Sequence, residues 1–482
     1  MESKYMKNVF KHFNEILKIY RPSFHEEKIA KYIIDFFEKK SCEIEVYEAN
    51  NLLIKIPASE GWENKPVVCL QSHLDMVNVK DENVSHNWET DPIQTEEIDG
   101  WLKSKGTTLG ADNGWGVAMM IEIGSNSEIK HGPLELLFTT IEEPGMIGIA
   151  KMPRNVLKAQ YIINLDSEQW GTFCYRCFAG HSYVVESPIT YEQIVGDDRI
   201  FVDVEVSGLR GGHSGSDVAK PRINAIKLLA IELDKMIHKF EGIRLVSFNG
   251  GIAPNSIPIK ATARLSIYRK HLEGCREILN YDREFYHSSF VDEINISLLI
   301  NEVNIDFKFM LSFESANKVL STILAVSSGL RFYDFNLDTT ASSNNLGIVK
   351  TEYNKILYEI YTRGSDDVML DYIDKESMAI FKLSKFNRRD VAYYPAWSMD
   401  IKENKLIEIA RNVFEKDFGQ KAKLEIMPAG IECSFLSHYY PKAYMISYGP
   451  TIFDVHSPNE KLELDSASKC IDFTIDLIQA IE

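Results

Sequence analysis

Five positions in this 482-residue chain carry imidazole or carboxylate groups, four after apolar runs and one in a glycine turn that opens a helix: His73, Glu143, Asp166 and His456, and Asp112. Taken singly each has an ordinary explanation. Asp112, in Gly110-Ala111-Asp112-Asn113-Gly114, could be a helix cap. Glu142 and Glu143 could be a solvated charge pair, and His73 with Asp75 is a short pattern that recurs by chance. Together they are more specific. His73 follows the run 66–70, Glu142-Glu143 the run 134–138, Asp166 the run 161–165 and His456 the run 444–448. Four strand ends of one sheet would each present a nitrogen or oxygen ligand, and open α/β sheets bind ligands at the carboxyl ends of their strands. Nitrogen and oxygen donors without thiolate suit zinc, manganese or cobalt. Five ligands exceed one tetrahedral site, so two ions sharing a carboxylate is the economical arrangement. Asp75 is spaced to orient His73 through its second ring nitrogen. Of the adjacent glutamates, one can bind metal while the other serves as general base, the division of labour of metal-assisted hydrolysis.

The elements that must hold these groups alternate between short apolar strands and helices. A helix is expected over 116–123 behind the glycine turn, and another, amphipathic, at the N-terminus through Val9, Phe10, Phe13, Ile16, Leu17 and Tyr20. This pattern specifies an α/β catalytic domain with a mixed, mostly parallel sheet. Near Tyr183 the style changes. Residues 199–206 alternate strictly, with Ile200, Val202, Val204 and Val206 on one face, as in a half-buried antiparallel strand. A helix over 223–236 and strands over 257–267 and 355–361 continue an α+β domain. After about Pro395 the α/β style returns, with a helix over 405–418 and a strand over 444–448. The expected organisation is a catalytic domain in two parts, 1–183 and 393–482, with an inserted domain over 184–392.

Composition removes other classes. A formal net charge of -17 disfavours nucleic-acid binding. No apolar run is long enough to span a bilayer, and the charged N-terminus lacks a signal core, so a cytoplasmic protein is expected. Seven cysteines are scattered along the chain, which argues against a disulfide framework. The Cys174–Cys177 pair lacks a second pair nearby and, flanked by Phe173, Tyr175 and Phe178, reads as structural.

The stretches SHLDMV, GTTLGADNGWG, TTIEEPGMIG, NLDSE, RGGHSG, AGIEC and GPTIFDVHSPNE resemble the M20 metallopeptidase group, and within it the aminoacyl-histidine dipeptidase branch, from about His73 to Asp465. The resemblance implies a zinc-exopeptidase-like fold in which the inserted α+β domain is a lid. It implies that His73, Asp112 and Asp166 hold one ion and Asp112, Glu143 and His456 the other, most readily zinc. Asp75 would orient His73. Glu142 would be the base that takes a proton from a water between the ions and delivers it to the leaving amine. His213 would stabilise the oxyanion, Asn255 would lie near the substrate, Arg363 would take its free carboxylate and Glu432 its free amine. The implied activity is hydrolysis of dipeptides, Xaa-His or broader, by a monomer or a homodimer. The alternatives are a deacylase or aminoacylase of the same group, or a metal-binding relative without activity. Trp115 and Phe453-Asp454-Val455 depart from the pattern, with an expected effect on the pocket wall.

Overall fold

The computed structural model describes residues 3–195, 198–305, 307–335, 338–383, 386–399 and 401–482. The chain divides into two compact units, one of residues 1–177 with 394–482, the other of 178–393.

The first unit is built on a nine-stranded mixed sheet. Val68–His73 lies between Leu134–Thr139 and Tyr161–Asn164, parallel to both, and Tyr444–Ser447 continues the parallel set beyond Tyr161–Asn164. These four strands are short and wholly or almost wholly buried. That is why they read as continuous apolar runs rather than alternating ones. Their carboxyl ends fall along one edge of the sheet. Antiparallel strands flank them: the Glu43–Val46 and Leu52–Ile56 hairpin on one side, Thr172–Cys177 on the other.

The helix Ala111–Ser125 is interrupted at its start, where Asp112 (ψ 112°) and Asn113 (ψ 28°) leave helical geometry, so its regular part begins after the glycine turn as the apolar period suggests. It packs close to the strand ends. A side chain at Gly116 would lie 2.5 Å from Ser72 Oγ and 3.0 Å from the Leu165 carbonyl, so only glycine lets the backbones approach this closely. Trp115, on the same helix, is fully buried and meets Phe10 and Phe13 of the helix Met6–Ile16 edge-on, at 6.2 and 5.4 Å between ring centroids. It therefore anchors the N-terminal helix to the core and does not form a pocket wall. Cys174 and Cys177 are buried and not disulfide-bonded.

The second unit has its own nine-stranded sheet and its own apolar core. Ala179–Pro188, the strand that contains Tyr183, pairs antiparallel with Lys355–Gly364. Arg199–Ser207 buries every second residue, Ile200, Val202, Val204 and Val206 facing the core under the helix Ala225–Lys239. The stretch expected as one strand over 257–267 is two, Ser256–Ile257 and Ala261–Tyr268. Pro258 lies between them and has no N–H to donate to a ladder. Ser256–Ile257 instead pairs with Gly212–His213.

Candidate metal and catalytic site

In the first unit His73 is the last residue of its strand and is buried. Its Nε2 lies 3.0 Å from Asp112 Oδ1 and 3.2 Å from Asp166 Oδ1. The other oxygen of Asp112, Oδ2, lies 3.2 Å from His456 Nε2, and that nitrogen is 2.9 Å from Glu143 Oε2. Asp112 thus turns one oxygen to each histidine, with Asp166 beside the first and Glu143 beside the second. Ligand atoms of His73, Asp112 and Glu143 all lie within 4.8 Å of one another. Of the five, only His456 is substantially open to solvent.

The donor set fits divalent cations. Three carboxylates crowd two imidazoles, and Glu143 Oε1 is buried with no hydrogen-bond partner. An orphaned buried carboxylate oxygen is costly unless a cation or donor meets it. The electrostatics show the same crowding. Burial, reinforced by the charge of Asp112, raises Glu143 above the ordinary carboxylate range, while His456 pulls it down. Burial also lifts Glu142 well above that range; the carboxylates of Asp166, Glu143 and Glu432 add to it and His73 opposes it. Burial works against ionising Asp112 too, yet the hydrogen bonds from His456 and His73 hold it below the usual value.

Asp75 organises more than His73. Its Oδ1 accepts from the Glu142 N–H at 3.0 Å and its Oδ2 from the Glu143 N–H at 3.2 Å and from the Ser23 hydroxyl at 2.8 Å. His73 Nδ1 lies 3.5 Å from its carboxylate and 3.2 Å from its carbonyl. One buried carboxylate therefore fixes the His73 ring and the backbone of both glutamates. Glu432 is completely enclosed, with Oε2 accepting from Gln71 and Thr139 and Oε1 without a partner. Burial pushes its carboxyl up to about 8.

Three supporting residues escaped the sequence reading. Arg21 is buried and donates to the carbonyls of Leu74 and Asp75, both at 2.8 Å, and of Gly110 at 2.6 Å. It ties the end of the His73 strand to the turn that carries Asp112. Glu460 accepts from four successive backbone N–H groups, those of Leu109, Gly110, Ala111 and Asp112, at 2.8–3.3 Å. Glu26 accepts from the Ile141 N–H at 2.9 Å, just before the glutamate pair. The sequence signal for Glu460 was its place four residues after His456. Nothing in the sequence marked Arg21 or Glu26.

In the second unit, His213, Asn255 and Arg363 come together. His213 pairs with Ser256 in the short two-stranded ladder, and the Ser214 N–H donates to the Asn255 carbonyl at 2.9 Å. Arg363 Nη2 lies 3.2 Å from His213 Nε2. Arg363 is almost completely buried, with its guanidinium 4.3 Å from the centre of the Tyr361 ring.

No helix among the described residues is long and apolar enough to cross a membrane. The chain is 32% identical over 472 residues to the cytosol non-specific dipeptidase of Escherichia coli, covering 97% of this chain and 96% of that one. Its structure is similar to that of an aminoacylhistidine dipeptidase from Vibrio alginolyticus, with a TM-score of 0.84 and 31% identity, over 100% of this chain and 98% of the other. The aminopeptidase PepT of Bacillus cereus shares the fold at 15% identity, with a TM-score of 0.56, over 99% of this chain and 98% of that one. Residues 69–480 match the profile of peptidase family M20/M25/M40, and the chain belongs to that family.

Proposed function

We propose that the chain is a metal-dependent dipeptidase of the cytosol, which hydrolyses the peptide bond of dipeptides. The observation that carries the reading is the convergence of His73, Asp112, Glu143, Asp166 and His456 at the strand ends, with Glu142 beside them. Similarity along almost the whole chain to two proteins named as dipeptidases supports the substrate class.

His73, Asp112 and Asp166 would hold one divalent ion and Asp112, Glu143 and His456 a second, with zinc, manganese or cobalt matching the donors. Bound ions would polarise the scissile carbonyl and acidify water. Glu142 makes no contact among the ligand pairs and is raised by burial, as befits a group that accepts a proton from the attacking water and returns it to the leaving nitrogen. Asp75 keeps Glu142 and Glu143 pointing in separate directions by holding both of their N–H groups. Glu432, enclosed beneath them, holds Gln71 and Thr139 in place, and this setting favours a supporting task over contact with the substrate's amine.

The 178–393 unit is assigned as the substrate-binding lid. Within it His213 donates to the developing oxyanion, Arg363 takes the substrate's free carboxylate and Asn255 lines the same region. The test is a panel of dipeptides, with their amidated and tripeptide counterparts, assayed on metal-stripped protein reloaded with zinc, manganese or cobalt. Hydrolysis restricted to free dipeptides supports the reading. Preferential cleavage of N-acyl amino acids would replace it with a deacylase.

A further inference from the structure

Beyond Thr139, where a central strand ends, four successive amides are taken by side chains rather than by the sheet. The Thr140 N–H donates to Asn51 Oδ1 at 3.1 Å and the Ile141 N–H to Glu26 Oε1 at 2.9 Å. Those of Glu142 and Glu143 go to the two oxygens of Asp75, at 3.0 and 3.2 Å. The three acceptors are buried and come from three separate segments. Ile141 differs from its neighbours. It is buried, and its φ of 51° lies in the left-handed region. A β-branched residue is a genuine outlier there, and such a conformation persists only where the surroundings enforce it. Glycine would adopt the same angle unaided; isoleucine needs to be held. Its carbonyl accepts from the Ile147 N–H at 2.8 Å, and its N–H is the one that Glu26 takes. Glu26 is itself fixed. It is 2% exposed, its Oε1 also accepts from the Phe24 N–H at 3.1 Å, and its backbone leads into the helix Glu27–Phe37.

We infer that Glu26 is a positioning residue for the Glu142-Glu143 pair: by holding the Ile141 N–H it keeps Ile141 left-handed, and so sets the line on which Glu142 leaves the sheet. The inference rests on the proposed function only for the role of Glu142 as base. Relaxing Ile141 to a negative φ would rotate the chain about its N–Cα bond and carry the next peptide with it. The two glutamates would not respond alike. Glu143 is gripped by its side chain, 2.9 Å from His456 in the carboxylate–imidazole cluster. Glu142 adjoins Ile141 and is anchored by its N–H, to Asp75. Glu26 acts through the backbone of Ile141, and no contact with substrate is required of it. The task needs an acceptor oxygen at the right reach and no charge, which a carboxamide of the same length also supplies.

The test uses the full chain reloaded with zinc. Glu26→Ala should lower kcat on a dipeptide by about 10²-fold, the scale expected when a reacting group is displaced by about 1 Å. KM and ion content should stay at wild-type values. Glu26→Gln should regain most of the rate, while Glu26→Asp, which keeps the charge and draws the oxygens back by one methylene, should not. The sharper arm adds Ile141→Gly to Glu26→Ala. Glycine holds the angle without a clamp, so kcat should rise again although the lost side chain lowers Tm. A brace with no part in positioning would lose Tm, ions and kcat together, and the added glycine would deepen the loss; that pattern overturns the inference. So does a wild-type kcat in Glu26→Ala. Should Glu26→Ala not fold, Glu26→Asp takes its place with the same expectations. Crystal structures read the inference without an assay. Ile141 should leave the left-handed region in Glu26→Ala and keep it in Glu26→Gln. An Ile141 that stays left-handed in Glu26→Ala overturns the inference even if the chain is a dipeptidase. A wild type inactive on every dipeptide removes the proposed function and leaves the crystallographic result to decide this one.

Discussion

The carboxylate–imidazole cluster of the first unit and the surroundings of His213 in the second are unlike in composition: one is lined by acceptors, the other by donors. At the strand ends, three carboxylates gather round two imidazoles and one oxygen, Glu143 Oε1, is left without a donor. Around His213, donors outnumber lone pairs. One cluster has a surplus of acceptors and suits cations; the other gathers backbone N–H groups and a guanidinium about one imidazole. The orphaned Glu143 oxygen is costly as it stands, since a buried acceptor without a donor or cation loses free energy. The two also differ in what holds them rigid. The acceptor cluster hangs on the ends of central parallel strands, whereas the donor cluster sits on a tight turn and a two-residue ladder.

Removing the cation side should have the largest effect. Chelation is expected to abolish hydrolysis, and added zinc, manganese or cobalt to restore it, because no side chain here makes water nucleophilic near neutral pH alone. Undiminished activity in protein shown by elemental analysis to be metal-free would break the comparison at its root. Glu142→Gln comes next, with a fall in kcat of about 10²–10⁴-fold and full retention of ions. Glu143→Gln should lose ions instead, and the reverse outcome would exchange the two assignments. On the donor side, His213→Ala should lower kcat by roughly 10²–10³-fold with unchanged metal content, the usual loss for one oxyanion donor.

Glu460→Gln probes what holds the first cluster. An amide group turns a donor toward N–H groups that the carboxylate accepted, at a cost of about 1–3 kcal/mol. A lower Tm and weaker ion binding are expected, by thermal melts and metal titration. The smallest effect concerns pH. The folded-state value of His213 lies below its unfolded value of about 6.5, at about 4. The neutral form is the one the fold favours, so its contribution is complete above pH 6.5 and is lost as pH falls toward 4. Denaturant melts across that window should show wild type losing an increment of stability that His213→Gln does not lose. Parallel curves would mean that the donor cluster leaves the charge state of His213 undisturbed.

Most of the clustered residues could be placed from the sequence because they follow continuous apolar runs, and a run of that kind has a direction and an end; Asp112 was marked instead by its glycine turn. His73, Asp166 and the Glu142-Glu143 pair could be placed on one sheet edge from this alone. The braces were not legible. Arg21 and Glu460 act through backbone groups of distant segments, and a carbonyl or N–H carries no residue type to recognise. Trp115 was misread for a related reason. Its place beside the glycine turn suggested the pocket, but Asp112 and Asn113 leave helical geometry, so the helix phase starts anew after them and Trp115 faces Phe13. Glu432 likewise carried the right chemistry for an amine, while its enclosure depends on Gln71 and Thr139, which no local pattern connects to it.

The loop that ends in Glu460 also sets a schedule. His456 and Glu460 reach back across more than 340 residues to Asp112 and its turn, past the whole of the 178–393 unit. During synthesis, the chain emerges N-terminus first at about 5–20 residues per second. If His73, Asp112, Glu143 and Asp166 hold ions as proposed, they would meet cellular metal for on the order of 15–60 s before His456 and Glu460 exist. In that interval the Asp112 turn lacks the carboxylate that gathers its four amides. Tight loading must wait for a nearly finished chain, and a translation product stopped before His456 would compete poorly for metal, however well its sheet had formed.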